Sequence, residues 1–350
     1  NYANKFYINN WGEDKILKKL KKNMKKKILI TGATGFIGSH LTELLVQKGL
    51  DVVAFDRYNI HNDYGWLKNS KFKNNFQTIL GDVRDQDSVL KAMKGCKSVI
   101  HLAALIGIPY SYVSPLAYIR TNIEGTYNVL EAAKNLNLEN IVITSTSEIY
   151  GTPKRLPIKE TDPVNCQSPY AATKSAADQL SISYFKSFNL PVKLIRPFNT
   201  YGPRQSNRAI IPTVIAQCIK NKKNEIMLGN INTTRDLNYV DDICEAFYSV
   251  FKSNKTLGEI VNVGSNSNIS IKDLAKKIMK ILNVNYKIKI IEKRLRPQAS
   301  EVINLKCNNN KIKKLTNWKN KTSLVLGLTK TINWYKKNYT ESDKNQQYQI

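Results

Sequence analysis

The sequence predicts an α/β protein built on a doubly wound parallel sheet, followed by a smaller C-terminal α/β substrate-binding region. Three observations carry that expectation. From residue 27 to about residue 196, short β-branched apolar runs alternate with segments of helical periodicity, the pattern of strands joined by crossover helices. The first run passes through three glycines, Gly32, Gly35 and Gly38, directly into an apolar-periodic segment. The second run ends in an acid, Asp56. Strand, glycine triad, helix, strand and acid in that order describe a Rossmann-type dinucleotide site.

Lys27-Ile-Leu-Ile-Thr31 is the first strand, and residues 36–46 are the first helix. The glycines permit a tight turn, close backbone approach to a pyrophosphate, and close helix–strand packing. Thr34 lies in that turn, and Phe36 and Ile37 begin the helix whose N-terminus supplies free N–H groups and a positive dipole. Asp51-Val-Val-Ala-Phe55 is the second strand. Asp56 after it can accept both ribose hydroxyls and would repel a 2′-phosphate. Arg57 next door favours the phosphate, but the carboxylate dominates, so NAD is preferred. The third strand, Phe76-Gln-Thr-Ile-Leu80, leads into Gly81-Asp82-Val83-Arg84. The fourth, residues 97–104, ends in Leu102, Ala103 and Ala104, small enough for a backbone to meet a cofactor. Residues 114–135 and 170–189 read as long helices flanking the strand Asn140-Ile-Val-Ile-Thr144. A sixth strand starts at Pro191 and leads into the loop from Arg196 and Pro197 through Asn199 to Arg204. Residues 259–263 can return to the sheet, residues 271–282 form an amphipathic helix, and Arg294-Leu-Arg-Pro297 is a basic loop.

The reactive groups stand between the fifth strand and the second long helix. Thr146, Ser147 and Glu148 follow the strand, and Tyr170-Ala-Ala-Thr-Lys174 opens the helix. Residues four apart share a helix face. A lysine so placed lowers the pKa of the tyrosine from about 10 toward working pH, preparing a general base for a hydroxyl. Thr146, expected to close the strand, can hydrogen-bond the same hydroxyl, and Glu148 puts a carboxylate beside the reacting centre.

Composition narrows the partners. The 350 residues are 42% hydrophobic, with no apolar run of the length a bilayer span requires (about 20 residues) and no apolar secretory segment near the start. A cytoplasmic protein is expected. Met24 reads as a native start, making residues 1–23 an extension outside the fold, with the cofactor domain over 24–200, the substrate region over 201–335 and a polar tail over 336–350. Five scattered cysteines and three histidines show no metal-ligand spacing, so no metal is expected, and His40 and His101 are read as packing residues. The formal charge of +27 comes from lysines spread along the chain, the one dense cluster lying at residues 18–27. That spread argues against nucleic acid and favours an anionic small substrate.

These motifs resemble the extended short-chain dehydrogenase/reductases, specifically the NAD-dependent sugar-nucleotide epimerases and dehydratases. The likeness spans about residues 25–335: Thr-Gly-Ala-Thr-Gly-Phe-Ile-Gly38, Gly81-Asp-Val-Arg84, His101-Leu-Ala-Ala104, Asn122-Ile-Glu-Gly-Thr126, Tyr170-x-x-x-Lys174 and Arg196-Pro-Phe-Asn-Thr-Tyr-Gly-Pro-Arg204 fall in family order. At finer grain, Leu105-Ile-Gly-Ile-Pro-Tyr-Ser-Tyr112, the Gln167 segment and residues 202–212 look most like the nucleotide-N-acetylglucosamine 4,6-dehydratases of legionaminic-acid-type pathways. The resemblance implies that Asp82 and Val83 hold the adenine, that Ala103 lines the cofactor, and that Asn199, Arg204, Arg235 and Arg296 surround the nucleotide and its diphosphate. It also implies a homodimer through the helices near 114–135 and 170–189. The shared chemistry starts with Tyr170 deprotonating the sugar C4 hydroxyl during oxidation at C4. Glu148 then argues for chemistry at C5, hence loss of the C6 hydroxyl from a UDP- or GDP-linked N-acetylglucosamine. Many related dehydratases carry Asp where Ser147 stands. A nucleotide-glucuronate decarboxylase is the runner-up, then a 4-epimerase, and last a non-catalytic NAD-sensing regulator.

Overall fold

The computed structural model describes residues 27–338 apart from 221–223. The expected extension 1–23 and the tail beyond residue 338 lie outside the described residues. The tail was expected from residue 336, yet the helix Leu324–Asn338 includes Lys336 and Lys337. Tyr335, the last core contact, is buried in the turn before them, so helical hydrogen bonding carries through the lysines.

Seven strands form one parallel sheet: β1 (Lys27–Thr31), β2 (Asp51–Arg57), β3 (Phe76–Gly81), β4 (Ser98–His101), β5 (Asn140–Thr144), β6 (Val192–Pro197) and β7 (Ile260–Val263). Their order is β7-β6-β5-β4-β1-β2-β3, with every ladder parallel. The order reverses between β1 and β4, which opens a crevice at their carboxyl ends. Both faces are covered. Ile28, Ile30, Val52, Ala54, Ile100 and Val142 join one apolar cluster. Their strand neighbours Leu29, Val53, Phe55, Val99, Ile141 and Ile143 join the other. Continuous apolar strands are what a sheet buried on both sides requires.

The strand expected over 97–104 is shorter. Leu102 N–H still donates to Thr31 O, but Ala103 N–H turns to the Thr31 hydroxyl at 3.2 Å, ending the ladder early. The helix expected over 114–135 is composite: Pro115–Tyr118 is α-helical, Ile119–Glu124 is a π segment, and α-helix resumes over Gly125–Asn135. The second long helix runs Pro169–Phe188, with Asn189 in a left-handed conformation closing it.

The C-terminal region is interwoven with the sheet. It supplies β7 and the helix Val240–Lys252, which packs on the first helix, Phe36–Gln47, and on β5 and β6. Three two-stranded sheets complete it, one pairing Thr234–Arg235 with Ile269–Ser270. The apolar cluster under Ile28 extends to Val214, Leu274, Ile312 and Leu328. The C-terminal region therefore shares its core with the parallel sheet.

Candidate active site

The crevice at the β1–β4 switch is shaped by glycine. Gly32 has φ +69°, and a Cβ there would stand 2.8 Å from Ala103 N and 2.9 Å from its Cα. A Cβ on Gly38 would overlap the carbonyl oxygen of Gly32. Strand and helix thus meet backbone to backbone. The helix Phe36–Gln47 starts at Gly35 without a side-chain cap and without an acid in its first turn, so its N–H groups stay available to an anion. Asp56 Oδ2 accepts from Thr34 N–H at 2.8 Å and Thr34 Oγ1 at 2.6 Å, while Oδ1 accepts from Arg57 N–H at 2.7 Å. Oδ2 thus already accepts two donors, and Oδ1 keeps capacity for a further hydroxyl. Arg57 itself is exposed. These residues fit a dinucleotide whose adenosine ribose meets Asp56.

Asp82 is less free than expected. Arg84 grips its carboxylate through Nε at 3.0 Å and Nη2 at 2.5 Å, and that hydrogen-bonded guanidinium holds the carboxyl below its usual range. An adenine amino group has to share Asp82 with Arg84. Val83 is buried against Gly125, and its carbonyl accepts from Asn128 Nδ2 at 2.9 Å.

Strand β5 stops at Thr144, two residues short of where Thr146 was expected to close it. Thr146 instead caps a 3₁₀ turn, Ser147–Tyr150, its Oγ1 accepting from Glu148 N–H at 3.2 Å. A threonine hydroxyl that satisfies a turn N–H competes with strand continuation. Tyr170 lies in the first turn of Pro169–Phe188, set by Pro169 and by Ser168, whose hydroxyl accepts from Ala171 N–H at 3.1 Å. The turn and the helix bring Thr146, Ser147, Glu148, Tyr170 and Lys174 together, all five buried. The Thr146 side chain lies near enough to the Tyr170 phenol to favour its ionised form. Tyr118 stands edge-on to the same ring at 6.3 Å.

One electrostatic expectation reverses. Burial pushes the Tyr170 phenol above its ordinary value, and the Thr146 side chain offsets this only in part. Lys174 donates to Thr144 O at 2.5 Å, and burial draws its pKa down to about 8. Desolvation disfavours both charged forms, so in the ligand-free protein the pair is phenol and a weakened ammonium.

Below the site lies a buried polar chain that sequence reading missed. Asp178, one helical turn past Lys174, accepts from Ser145 Oγ at 2.7 Å and Arg196 Nε at 3.0 Å. Arg196 Nη1 donates to Tyr150 Oη at 2.7 Å, and that hydroxyl donates to Asn262 Oδ1 at 2.8 Å. These bonds tie the Ser147–Tyr150 turn to the helix Pro169–Phe188, β6 and β7. His101 is buried between Thr31 Oγ1 at 2.7 Å and Thr126 Oγ1 at 3.2 Å; burial drops it to about 3, so it is neutral and structural.

Of the four polar residues expected around the nucleotide, two converge. Arg235, buried, and Arg296, partly exposed, both approach Glu301 Oε1, at 3.3 and 3.5 Å. Burial lowers the Arg235 pKa, with Glu148 the foremost influence opposing it, which places Arg235 in the field of the catalytic turn. Asn199 Oδ1 is buried without a hydrogen-bond partner. Arg204 has φ +68° and pairs through Nη2 with Glu43 of the first helix at 3.0 Å, while its Nη1 is buried without a hydrogen-bond partner. Pro197 is buried at the end of β6.

A sequence profile described as GDP-mannose 4,6 dehydratase matches residues 29–331. Human dTDP-D-glucose 4,6-dehydratase is 30% identical over 321 residues, covering 90% of this chain and 91% of its own. The UDP-glucuronate 4-epimerase of Thermodesulfobacterium geofontis is 32% identical, covering 89% of this chain and 96% of its own. Among solved structures, dTDP-glucose 4,6-dehydratase from Bacillus anthracis in complex with NAD superposes with a TM-score of 0.79 at 27% identity, covering 89% of this chain and 97% of its own. The chain belongs to the GDP-mannose 4,6-dehydratase family of sugar-nucleotide-modifying extended short-chain dehydrogenase/reductases.

Proposed function

We propose, from membership of that family, that the chain is an NAD-dependent 4,6-dehydratase of a nucleotide-linked hexose, UDP- or GDP-N-acetylglucosamine, giving a 4-keto-6-deoxy sugar nucleotide. The observation that carries the reading is Glu148, buried in the same turn as Thr146 and within the field of Arg235. The choice of sugar rests on the likeness of residues 105–112, 167–174 and 202–212 to N-acetylglucosamine dehydratases.

Gly32, Gly35, Gly38 and Asp56 hold the cofactor, with Leu102, Ala103 and Ala104 against it. Bound NAD supplies the oxidation at C4 and the reduction at C6, leaving each cycle in the form in which it entered. Thr146 Oγ1 and Tyr170 Oη share the C4 hydroxyl, and Tyr170 takes its proton as a phenolate, the form that the Lys174 ammonium and the positive charge of a bound nicotinamide would favour over the resting phenol. The Lys174 ammonium, fixed on Thr144 O, compensates the phenolate charge. Once C4 is a ketone, the C5 proton is acidic and Glu148 removes it. Ser147 is a poor acid, so Glu148 passes that proton to the C6 hydroxyl, which departs as water; C5 then takes a proton from solvent, matching the one that Tyr170 took from the C4 hydroxyl and returns to solvent.

The epimerase among the relatives supports a second reading, 4-epimerisation, in which C5 is never touched. Glu148→Gln separates the two. In a single turnover, dehydration by this variant falls on the order of a hundred- to ten-thousand-fold while enzyme-bound NADH absorbance builds up. Tyr170→Phe shows little absorbance. Near-normal water loss by Glu148→Gln removes the carboxylate from the mechanism.

A further inference from the structure

Resting on the sugar-nucleotide reading of the site, we infer that Glu301 is an internal stand-in for the substrate's diphosphate, a carboxylate between two arginines that holds them in place and weakens ground-state binding of the nucleotide. Arg235 Nη2 and Arg296 Nη1 approach the same oxygen, Glu301 Oε1, at 3.3 and 3.5 Å. Glu301 and Arg235 are largely buried, with side chains 12% and 8% exposed, so these charges act with little screening. The two guanidinium groups repel each other, Arg296 being among the influences that lower Arg235. A bridging anion is what keeps them together.

The contacts are incomplete in a way that points to a second anion. Arg296 Nη1 is buried and, at 3.5 Å from the carboxylate, makes no hydrogen bond. Arg235 uses Nη1 on the Thr234 carbonyl at 2.9 Å, a contact that aims the fork without neutralising it. Two guanidinium groups face this one carboxylate, with Glu148 acting on Arg235 as well, and a diphosphate supplies the paired oxygens an arginine fork prefers.

The segment bearing Glu301 is held firmly around it. Ser300 Oγ donates to Gln167 O at 2.5 Å and meets Tyr112 Oη at 2.6 Å, while Gln167 Nε2 donates to Ala299 O at 2.7 Å. Gln167 directly precedes the helix that carries Tyr170. Glu301 therefore does not swing away when substrate arrives; it stays as a like charge near the incoming phosphates. Product carries the same nucleoside diphosphate, so the penalty on binding speeds release.

The test measures binding of UDP, GDP and dTDP to the NAD-loaded protein by titration calorimetry. Glu301→Gln keeps the side-chain shape and removes the charge. Affinity for whichever nucleoside diphosphate binds is expected to rise about ten-fold, with a steeper loss of affinity in salt, as removal of one nearby like charge predicts. The matching nucleoside without phosphates binds both proteins alike, and Glu301→Asp stays near the parent. KM and kcat of the variant fall together. Weaker or unchanged diphosphate affinity in a Glu301→Gln protein that retains its NAD and its melting temperature overturns the proposal alone. Failure of the parent protein to bind any of the three overturns the sugar-nucleotide reading, and this inference with it.

Discussion

Replacing Asp178 should unlatch the catalytic turn from the sheet. Its carboxylate is 1% exposed; Oδ2 accepts from Arg196 Nε at 3.0 Å and from Ser145 Oγ at 2.7 Å, and Arg196 Nη2 forms an ion pair with it at 3.0 Å. Asp178→Ala leaves Arg196, itself 2% exposed, with the Tyr150 hydroxyl as its remaining polar contact in this chain of bonds. Removing one partner of a buried pair costs about 3–5 kcal/mol, chiefly because the other charge stays desolvated. Urea unfolding of the NAD-loaded protein should show that loss. The double variant Asp178→Leu, Arg196→Met should recover a large part of it, since no uncompensated charge remains. A loss below about 1 kcal/mol in Asp178→Ala would refute the reasoning, because a pair that cheap to break is not desolvated.

Other outcomes follow from the same geometry. The Lys174 ammonium is the form that compensates a Tyr170 phenolate, and its pKa lies near 8, so C4 oxidation should hold below that pH and decline above it. A rate–pH profile that stays flat to pH 10, about the value of an unperturbed phenol, would contradict this. Asp56→Ala should weaken NAD binding and relax discrimination against NADP, read by titration of both cofactors. A homodimer is expected through the partly or fully exposed face of Pro169–Phe188 that carries the small residues Ala172, Ala176 and Ser183, beside exposed Leu116, Ile119 and Tyr127. A monomeric mass by light scattering at micromolar protein would count against it.

The sheet was legible because a strand buried on both faces writes itself as a continuous apolar run, and the cofactor turn because glycine stands where a Cβ would collide. Local signals also located Tyr170 and Lys174 on one helix face. Their charge state was not legible, since desolvation depends on what distant segments bury. Asp178 and Arg196 lie 18 residues apart, and Arg196 and Tyr150 46 apart, so no local pattern announces their pairing. The pairing of Arg204 with Glu43 was hidden for a like reason, the two residues lying 161 apart. Leu180, Ile182 and Phe185 of the Pro169–Phe188 helix pack against the core under β5 and β6, which their spacing along the helix does not announce. Only folding shows which apolar residues of a long helix are already spent.

The central claim is loss of water from the sugar, and the mass of the product tests it most directly. Purified NAD-loaded protein, incubated with UDP- and GDP-linked N-acetylglucosamine, glucose, mannose and glucuronate, should convert an N-acetylglucosamine nucleotide to a product lighter by one water, with no accumulation of free NADH. A product lighter by one carbon dioxide from the glucuronate, or an isomer of unchanged mass from any of the sugars, with no dehydrated species, would contradict the account.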